Sequence, residues 1–361
     1  MSDCLERAEA FCGRFGLRVP ILLAPMAGAS APSLSIAVAK AGGLGACGVL
    51  MMQPDEVIAW SNEVRSNSNG AFQLNTWIPD PPPVRDFEHE ARVRAFLGQW
   101  GPAVPEAAGD ATPPDFSAQC EAMLQTVPAV ISSVMGLFPP DFVRTLKQRG
   151  IAWFATVSTV KEARAAAAAG ADVIIAQGSE AGGHRACFDA TAAERTQVGL
   201  FSLLPGIVDA VSLPVVATGG IADARGVAAA LLLGASAVQI GTAFLRCPEA
   251  KIHPAWSAAL AGTAPEDTVV SRVFSGRAGR SIATDYVRAA TSPDAPPPAP
   301  YPVQRGLTAA MRQDAQKRGD VQRMQVWAGQ SAALGIAAPA GVVIEQLWAG
   351  AQALLAGGRR S

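Results

Sequence analysis

A (β/α)8 TIM barrel with a small inserted cap domain is the fold this chain predicts, on three observations. IAWFAT (151–156), VIIAQG (173–178), VVATGG (215–220) and AVQIGT (237–242) share one form, an apolar strand ending in small or polar residues. They begin 22, 42 and 22 residues apart with helical stretches between them, the spacing of a βα repeat with one long loop. ILLAPM (21–26), LGACGV (44–49), FQLNTW (72–77) and AVISSV (129–134) add four candidates upstream, and eight alternating units favour a closed barrel over an open doubly wound sheet. Near-continuous apolar strands suit burial on both faces. In either arrangement ligands bind at the carboxyl ends of the strands, so the polar strand ends converge on one mouth.

The elements follow in order, with residues 1–246 assigned to the barrel. After the third strand, 79–116 is rich in proline and mixed charge. It reads as a long loop with a short helix near Glu88 to Leu97, lying over or beside the mouth. Val160 to Ala169, with five consecutive alanines from Ala165, and Ala222 to Leu233 read as helices between strands. Gly226 to Leu245 is uncharged over 20 residues, the length that spans a bilayer. Gly234, Ser236, Gln239, Gly241 and Thr242 interrupt it, so it divides into a buried helix (Val227 to Leu233) and a strand (Ala237 to Ile240), and no membrane span is expected. Residues 247–302 hold a helix near His253 to Ala261, the strand-like TVVSRVF (268–274), the run SGRAGRS and the linker SPDAPPPAPYP; they predict a smaller cap domain. Residues 303–361 are expected to return as helices, across Leu307 to Leu355, packing on the barrel.

Half of the 361 residues are hydrophobic and 16% are charged, ample for a large core. A net charge of −1 and a pI near 6.3 supply no basic field for nucleic acid or anionic lipid, which leaves a small molecule as the expected partner. The six cysteines lie far apart with no CxxC pair, and the opening MSDCLERAEA has no apolar signal-peptide core. Reduced thiols and a cytoplasmic location are therefore expected. Composition says nothing of the oligomeric state.

Chemistry is sought at the strand ends. Thr218 to Gly220 precedes a helix and Ile240 to Thr242 precedes an apolar turn, the positions after strands seven and eight where barrels often seat a phosphate on backbone N–H groups. Glycines that merely close βα turns are the competing reading. APMAG (24–28) would let a flat ring lie against backbone, with Met26 adapting to its face. Asn75 offers a donor and an acceptor to a ring with imide-like edges, or else caps its loop. In QGSEAGGHR (177–185), Gln177 presents an amide, Gly182 and Gly183 allow close approach, and His184 can accept a proton from a carbon acid. A lone histidine is more often structural, but this one sits among glycines at the expected mouth. His89 and His253 lie elsewhere, and no HxxH or HExxH suggests a metal.

APMAG, FQLN (72–75), AQGSEAGGHR (176–185), ATGGIAD (217–223) and QIGTAF (239–244) together resemble the nitronate monooxygenases, formerly called 2-nitropropane dioxygenases. The resemblance runs from about Val19 to Arg246, with further likeness around SGRAGR (275–280), and its specific part is EAGGH. It implies an FMN-dependent barrel that oxidises alkyl nitronates with O2 to a carbonyl compound and nitrite. Matched residue by residue, it implies a flavin ring against Ala24, Pro25 and Met26 with Asn75 and Gln177 nearby. Gly182, Gly183, Gly219, Gly220, Gln239, Ile240, Gly241 and Thr242 would serve the rest of the cofactor. His184 matches the family's catalytic base, needed for a neutral nitroalkane and not for a preformed nitronate. Ala186 replaces the glycine expected after the His-Arg pair, which adds a methyl beside the loop. Two competing functions remain: an NAD(P)H-dependent FMN reductase of quinones or enoyl thioesters, and a flavin-free binding barrel.

Overall fold

The computed structural model describes residues 2–68 and 71–357. Eight parallel strands appear in the expected order: β1 (Ile21–Leu23), β2 (Gly45–Gly48), β3 (Phe72–Trp77), β4 (Val130–Val134), β5 (Ala152–Val157), β6 (Val173–Gln177), β8 (Val215–Thr218) and β9 (Ala237–Ile240), with the short β7 (Gly183–His184) outside this sheet. Their spatial order is β1-β9-β8-β6-β5-β4-β3-β2. A bridge between Leu22 and Leu44 joins the two ends, with Leu23 N–H donating to Leu44 O at 2.9 Å, so the sheet closes on itself as a barrel. The strands stop where their apolar runs stop. Ala24 to Met26, Gly178, Gly219, Gly220, Gly241 and Thr242, which the sequence groups with the strands, turn across the mouth instead.

Period-2 alternation sorts each strand between two cores. Leu22, Val130, Phe154, Ile175, Val216 and Ala237 pack together with Phe11 and Leu17, while Leu23, Ile131, Ala155, Ile174 and Val238 join the outer core under the helices. Phe11 and Phe15 belong to an amphipathic N-terminal helix, Ser2–Phe15, which sequence reading passes over. Their rings lie 6.2 and 5.0 Å from the Phe154 ring, so this helix closes the end of the barrel opposite the mouth.

The uncharged run 226–245 is a helix, Ala224–Leu232, followed by β9, and no helix among the described residues is long and apolar enough to cross a membrane. Asp223 caps that helix by accepting from the N–H groups of Arg225 and Gly226. The helix Ala340–Gly357 packs against both Ala224–Leu232 and Pro32–Lys40. It thus takes the place of the helix that follows the last strand, and everything from 242 to 339 is inserted between that strand and its helix.

Within the insertion, β10 (Thr268–Ser271) and β11 (Gly279–Ile282) form an antiparallel sheet whose third member is β7. Gly279 pairs with His184 and Arg280 with Gly183, so the glycine-histidine loop of the barrel becomes an edge strand of the small sheet. The helix Phe87–Leu97 from the 79–116 segment supplies Val93 and Leu97 to a separate core with Phe274, Tyr286, Val303, Leu307 and Met311. Residues 303–311 therefore pack with the small unit. Of the α-helices in the 303–361 stretch, the last one packs on the barrel, while 327–335 crosses its mouth.

Candidate active site

A cavity of about 740 Å³ opens at the carboxyl ends of the barrel strands, under the small unit. Ala24, Pro25, Met26, Asn75, Gln177, Gly182, Gly183, His184, Gly219, Gly220, Gln239, Gly241 and Thr242 all line it. Ile240 does not: its side chain is buried in the outer core and its carbonyl accepts from Ala24 N–H at 2.8 Å. The strand period explains this, because Gln239 and Gly241 point where Ile240 cannot. His253 also reaches the cavity, where its Nδ1 accepts from Ala255 N–H. His89 does not line the cavity; its Nε2–H donates to Pro297 O at 2.8 Å.

One side of the cavity is apolar and flat. Ala24 and Met26 pack beside Gly241, and Ser30 Oγ fixes the turn by accepting from Met26 N–H at 2.8 Å and donating to Met26 O at 2.9 Å. Asn75 donates through Nδ2 to Ser132 Oγ at 3.0 Å and to Ser132 O at 3.2 Å, while Gln239 Oε1 accepts from Gln73 at 2.9 Å. These contacts hold both amides at the mouth.

The far end is built of small residues under close approach. Gly219 and Gly220 have φ of +108° and +69°, left-handed values that favour glycine, and lead toward the helix Ala224–Leu232. A Cβ on Gly182 would lie 2.5 Å from Gly329 N. Gly329 N–H donates to Thr242 Oγ1 at 3.0 Å, Gln330 N–H to Glu180 O at 3.0 Å, and Ser331 Oγ to Gly220 O at 2.7 Å. The segment 327–331 thus completes the cradle. Nothing periodic marks WAGQS in the sequence; only the chain's return across the mouth brings it there.

His184 stands on the opposite wall. Gln177 clamps its loop on both sides, donating to His184 O at 3.1 Å and accepting from Ala186 N–H at 2.9 Å. Ala186 is buried and its methyl is accommodated. Arg185 Nη1 donates to Gly178 O at 2.7 Å, and Glu180 accepts from Leu200 N–H at the start of the helix Leu200–Val208. His184 Nε2 lies 2.7 Å from Ser275 Oγ, and the ring sits between Trp77 and Trp327 at centroid distances of 4.6 and 4.7 Å. Burial, then the positive charges of Arg277 and Arg305, push its pKa down to about 3, so the imidazole is neutral at ordinary pH. Arg277 itself pairs with Asp80, at the start of the 79–116 segment, at 2.8 Å.

Ser275, Trp77, Trp327, Tyr301 and Arg305 line the cavity without having been singled out as site residues by sequence reasoning. Ser275 lay within SGRAGR, whose pairing with the histidine loop gives that run its reason. All six cysteines are buried, and no cluster of His, Cys, Asp and Glu among the described residues could hold a metal.

The chain is similar to known proteins over nearly its whole length. It is 37% identical over 338 residues to a nitronate monooxygenase from Paraburkholderia phytofirmans, covering 92% of each chain. Among solved structures it resembles a nitroalkane oxidase from Streptomyces ansochromogenes with a TM-score of 0.87 and 34% identity, covering 96% of this chain and 99% of that one. FabK from Thermotoga maritima also matches, with a TM-score of 0.75 and 27% identity over 97% of this chain and 98% of that one. The sequence profile described as nitronate monooxygenase matches residues 10–350, and with the strand-end residues and the histidine loop in place, the chain belongs to the nitronate monooxygenase family, a family of flavin-dependent oxidoreductases.

Proposed function

We propose that this chain binds FMN and oxidises alkyl nitronates with O2 to a carbonyl compound and nitrite. The observation that carries the reading is a neutral histidine fixed on one wall of a cavity whose other walls are a flat apolar strand end and a glycine cradle. The cavity has the size of a cofactor site. The flavin's fit rests on the cradle: a methyl at Gly182 would enter the backbone of Gly329, and positive φ at Gly219 and Gly220 keeps that end free of side chains. Ala24 to Met26 would carry the ring, Asn75 and Gln239 its polar edge, and Gly219, Gly220, Gly241, Thr242 and Ser331 the phosphate end. When bound, FMN supplies the redox chemistry.

The protein's own part is binding, orientation and proton handling. When His184 Nε2–H donates to Ser275 Oγ, Ser275 donates its own hydrogen bond to Arg277 O at 3.2 Å, and Nδ1 is left to accept a proton from the α-carbon of a neutral nitroalkane. A nitronate arrives already ionised and needs no such step. Trp77 and Trp327 exclude water around the ring. Residues 247–302, whose small sheet β7 ties to the barrel, serve as a cap over the substrate.

Likeness to FabK favours one second reading, a flavin reductase using NAD(P)H. Steady-state assays separate the two: nitrite release and oxygen uptake with ethyl nitronate support the first, whereas NADH oxidation coupled to a quinone or an enoyl thioester, without nitrite from nitronate, supports the second.

A further inference from the structure

Three arginines of the small unit surround the histidine wall, and two of them are answered. Arg277 pairs with Asp80, and Arg312 donates to Thr308 Oγ1, Gln325 Oε1 and Arg305 O. Arg305 lines the cavity, yet among the described residues no carboxylate pairs with its guanidinium and no hydrogen-bond acceptor meets it. Four residues earlier, Tyr301 also lines the cavity, its ring 5.4 Å from that of Trp77, and its hydroxyl is buried with no hydrogen-bond partner. A partly buried cation without a counterion and a buried hydroxyl without a partner are each costly to keep. Both costs fall on one wall, beside the histidine, and a bound anion would relieve both.

We propose that Arg305 and the Tyr301 hydroxyl form an oxyanion seat that takes the ionised NO2 group of the substrate. The inference rests on the nitronate reading and assigns it a charge partner beside the histidine: His184 is neutral, Trp77 and Trp327 carry no charge, Arg312 is engaged by Thr308, Gln325 and Arg305 O, and Lys251 and Lys317, which also line the cavity, are exposed. A guanidinium suits the task, because its planar fork matches two oxygens on one atom.

Nitrate tests this, being a planar oxyanion that is not itself oxidised. The flavin-loaded protein is titrated with nitrate while tryptophan fluorescence, from Trp77 and Trp327 among others, and the flavin spectrum are followed. Saturable binding is expected, weakened about 10- to 100-fold in R305M. R305K, which keeps the charge and loses the fork, is expected to fall between them. The KM for ethyl nitronate rises in step in R305M, with a smaller change in kcat. Unchanged nitrate affinity in an R305M protein that keeps its flavin and circular dichroism overturns the proposal, as does a wild type that shows no saturable nitrate binding. Should R305M fail to fold, Y301F must weaken nitrate binding, and unchanged affinity there overturns it equally. Nitrate binding through Arg305 in a protein that turns over no nitronate would leave the seat standing and sink the nitronate reading.

Discussion

His184 is held neutral by burial and by the nearby Arg277 and Arg305, and under the proposed function that fixes the response to pH. With its pKa pushed from 6.5 down to about 3, the imidazole does not change charge between about pH 5 and 8, the range in which an unperturbed histidine titrates. The kcat/KM profile on a preformed nitronate should therefore show no histidine limb there; a break near 6.5 would contradict the assignment. Stability carries the same signature. Below 6.5 the unfolded chain binds a proton that folded His184 refuses, so this site's contribution is complete above 6.5 and is lost as the pH falls toward 3. Melting curves from pH 4 to 8 should show the wild type losing more than His184→Asn. In turnover, His184→Asn should abolish activity on neutral nitroalkanes and largely keep it on nitronates, and equal loss on both would refute a role confined to proton abstraction. His184, Gln177 and Gly182 were legible because they share one nine-residue run. Ser275, Tyr301 and Arg305 were not, because only tertiary folding carries them about 90 to 120 residues back to that run.

Strands were the most legible elements. Each buried parallel strand reads as a continuous apolar run, and all eight were found, with shifts of one residue at the starts of β2, β4 and β5 and larger errors where the last residues of several runs turn into the mouth. The helix Ser2–Phe15 escaped because its mixed charge hides a few apolar positions whose partners, Phe154 for Phe11 and Phe15 and the outer core for Cys4 and Ala8, come from distant strands and helices. Phe11→Ala should cost about 3–5 kcal/mol by opening a cavity at the barrel's closed end, measured by urea denaturation. A cost under about 1 kcal/mol would mean that the helix is not part of the cooperative core. At the mouth, Gly182→Ala drives a methyl to within 2.5 Å of Gly329 N and must displace the 327–331 segment. The variant is expected to fold but to purify with little flavin, read from the visible absorbance per protein. Full flavin content would show that the cradle is looser than its geometry.

On the scale of the chain, the barrel was readable from repetition, and a small unit over 247–302 was expected with its helix near His253 to Ala261 and a strand near 268–274, but the parts that unit borrows from elsewhere were not readable. Its strands β10 and β11 are four residues each, its third strand is borrowed from the barrel's own histidine loop, and its core draws on Val93 and Leu97 from nearly 200 residues upstream of Phe274 and Tyr286. Pairing β7 with β11 makes the histidine's position depend on both units at once, which puts the proposed chemistry at their seam. The proposed function requires the cavity at this seam to pass electrons from a nitronate to a bound flavin. The most direct test is to mix the purified yellow protein with propionate 3-nitronate without oxygen and follow the flavin absorbance. Loss or change of the oxidised flavin band, followed by oxygen uptake and nitrite release on admitting air, is the predicted result. A flavin band that stays unchanged with nitronate but bleaches with NADH would contradict the account and move the chain to the reductases.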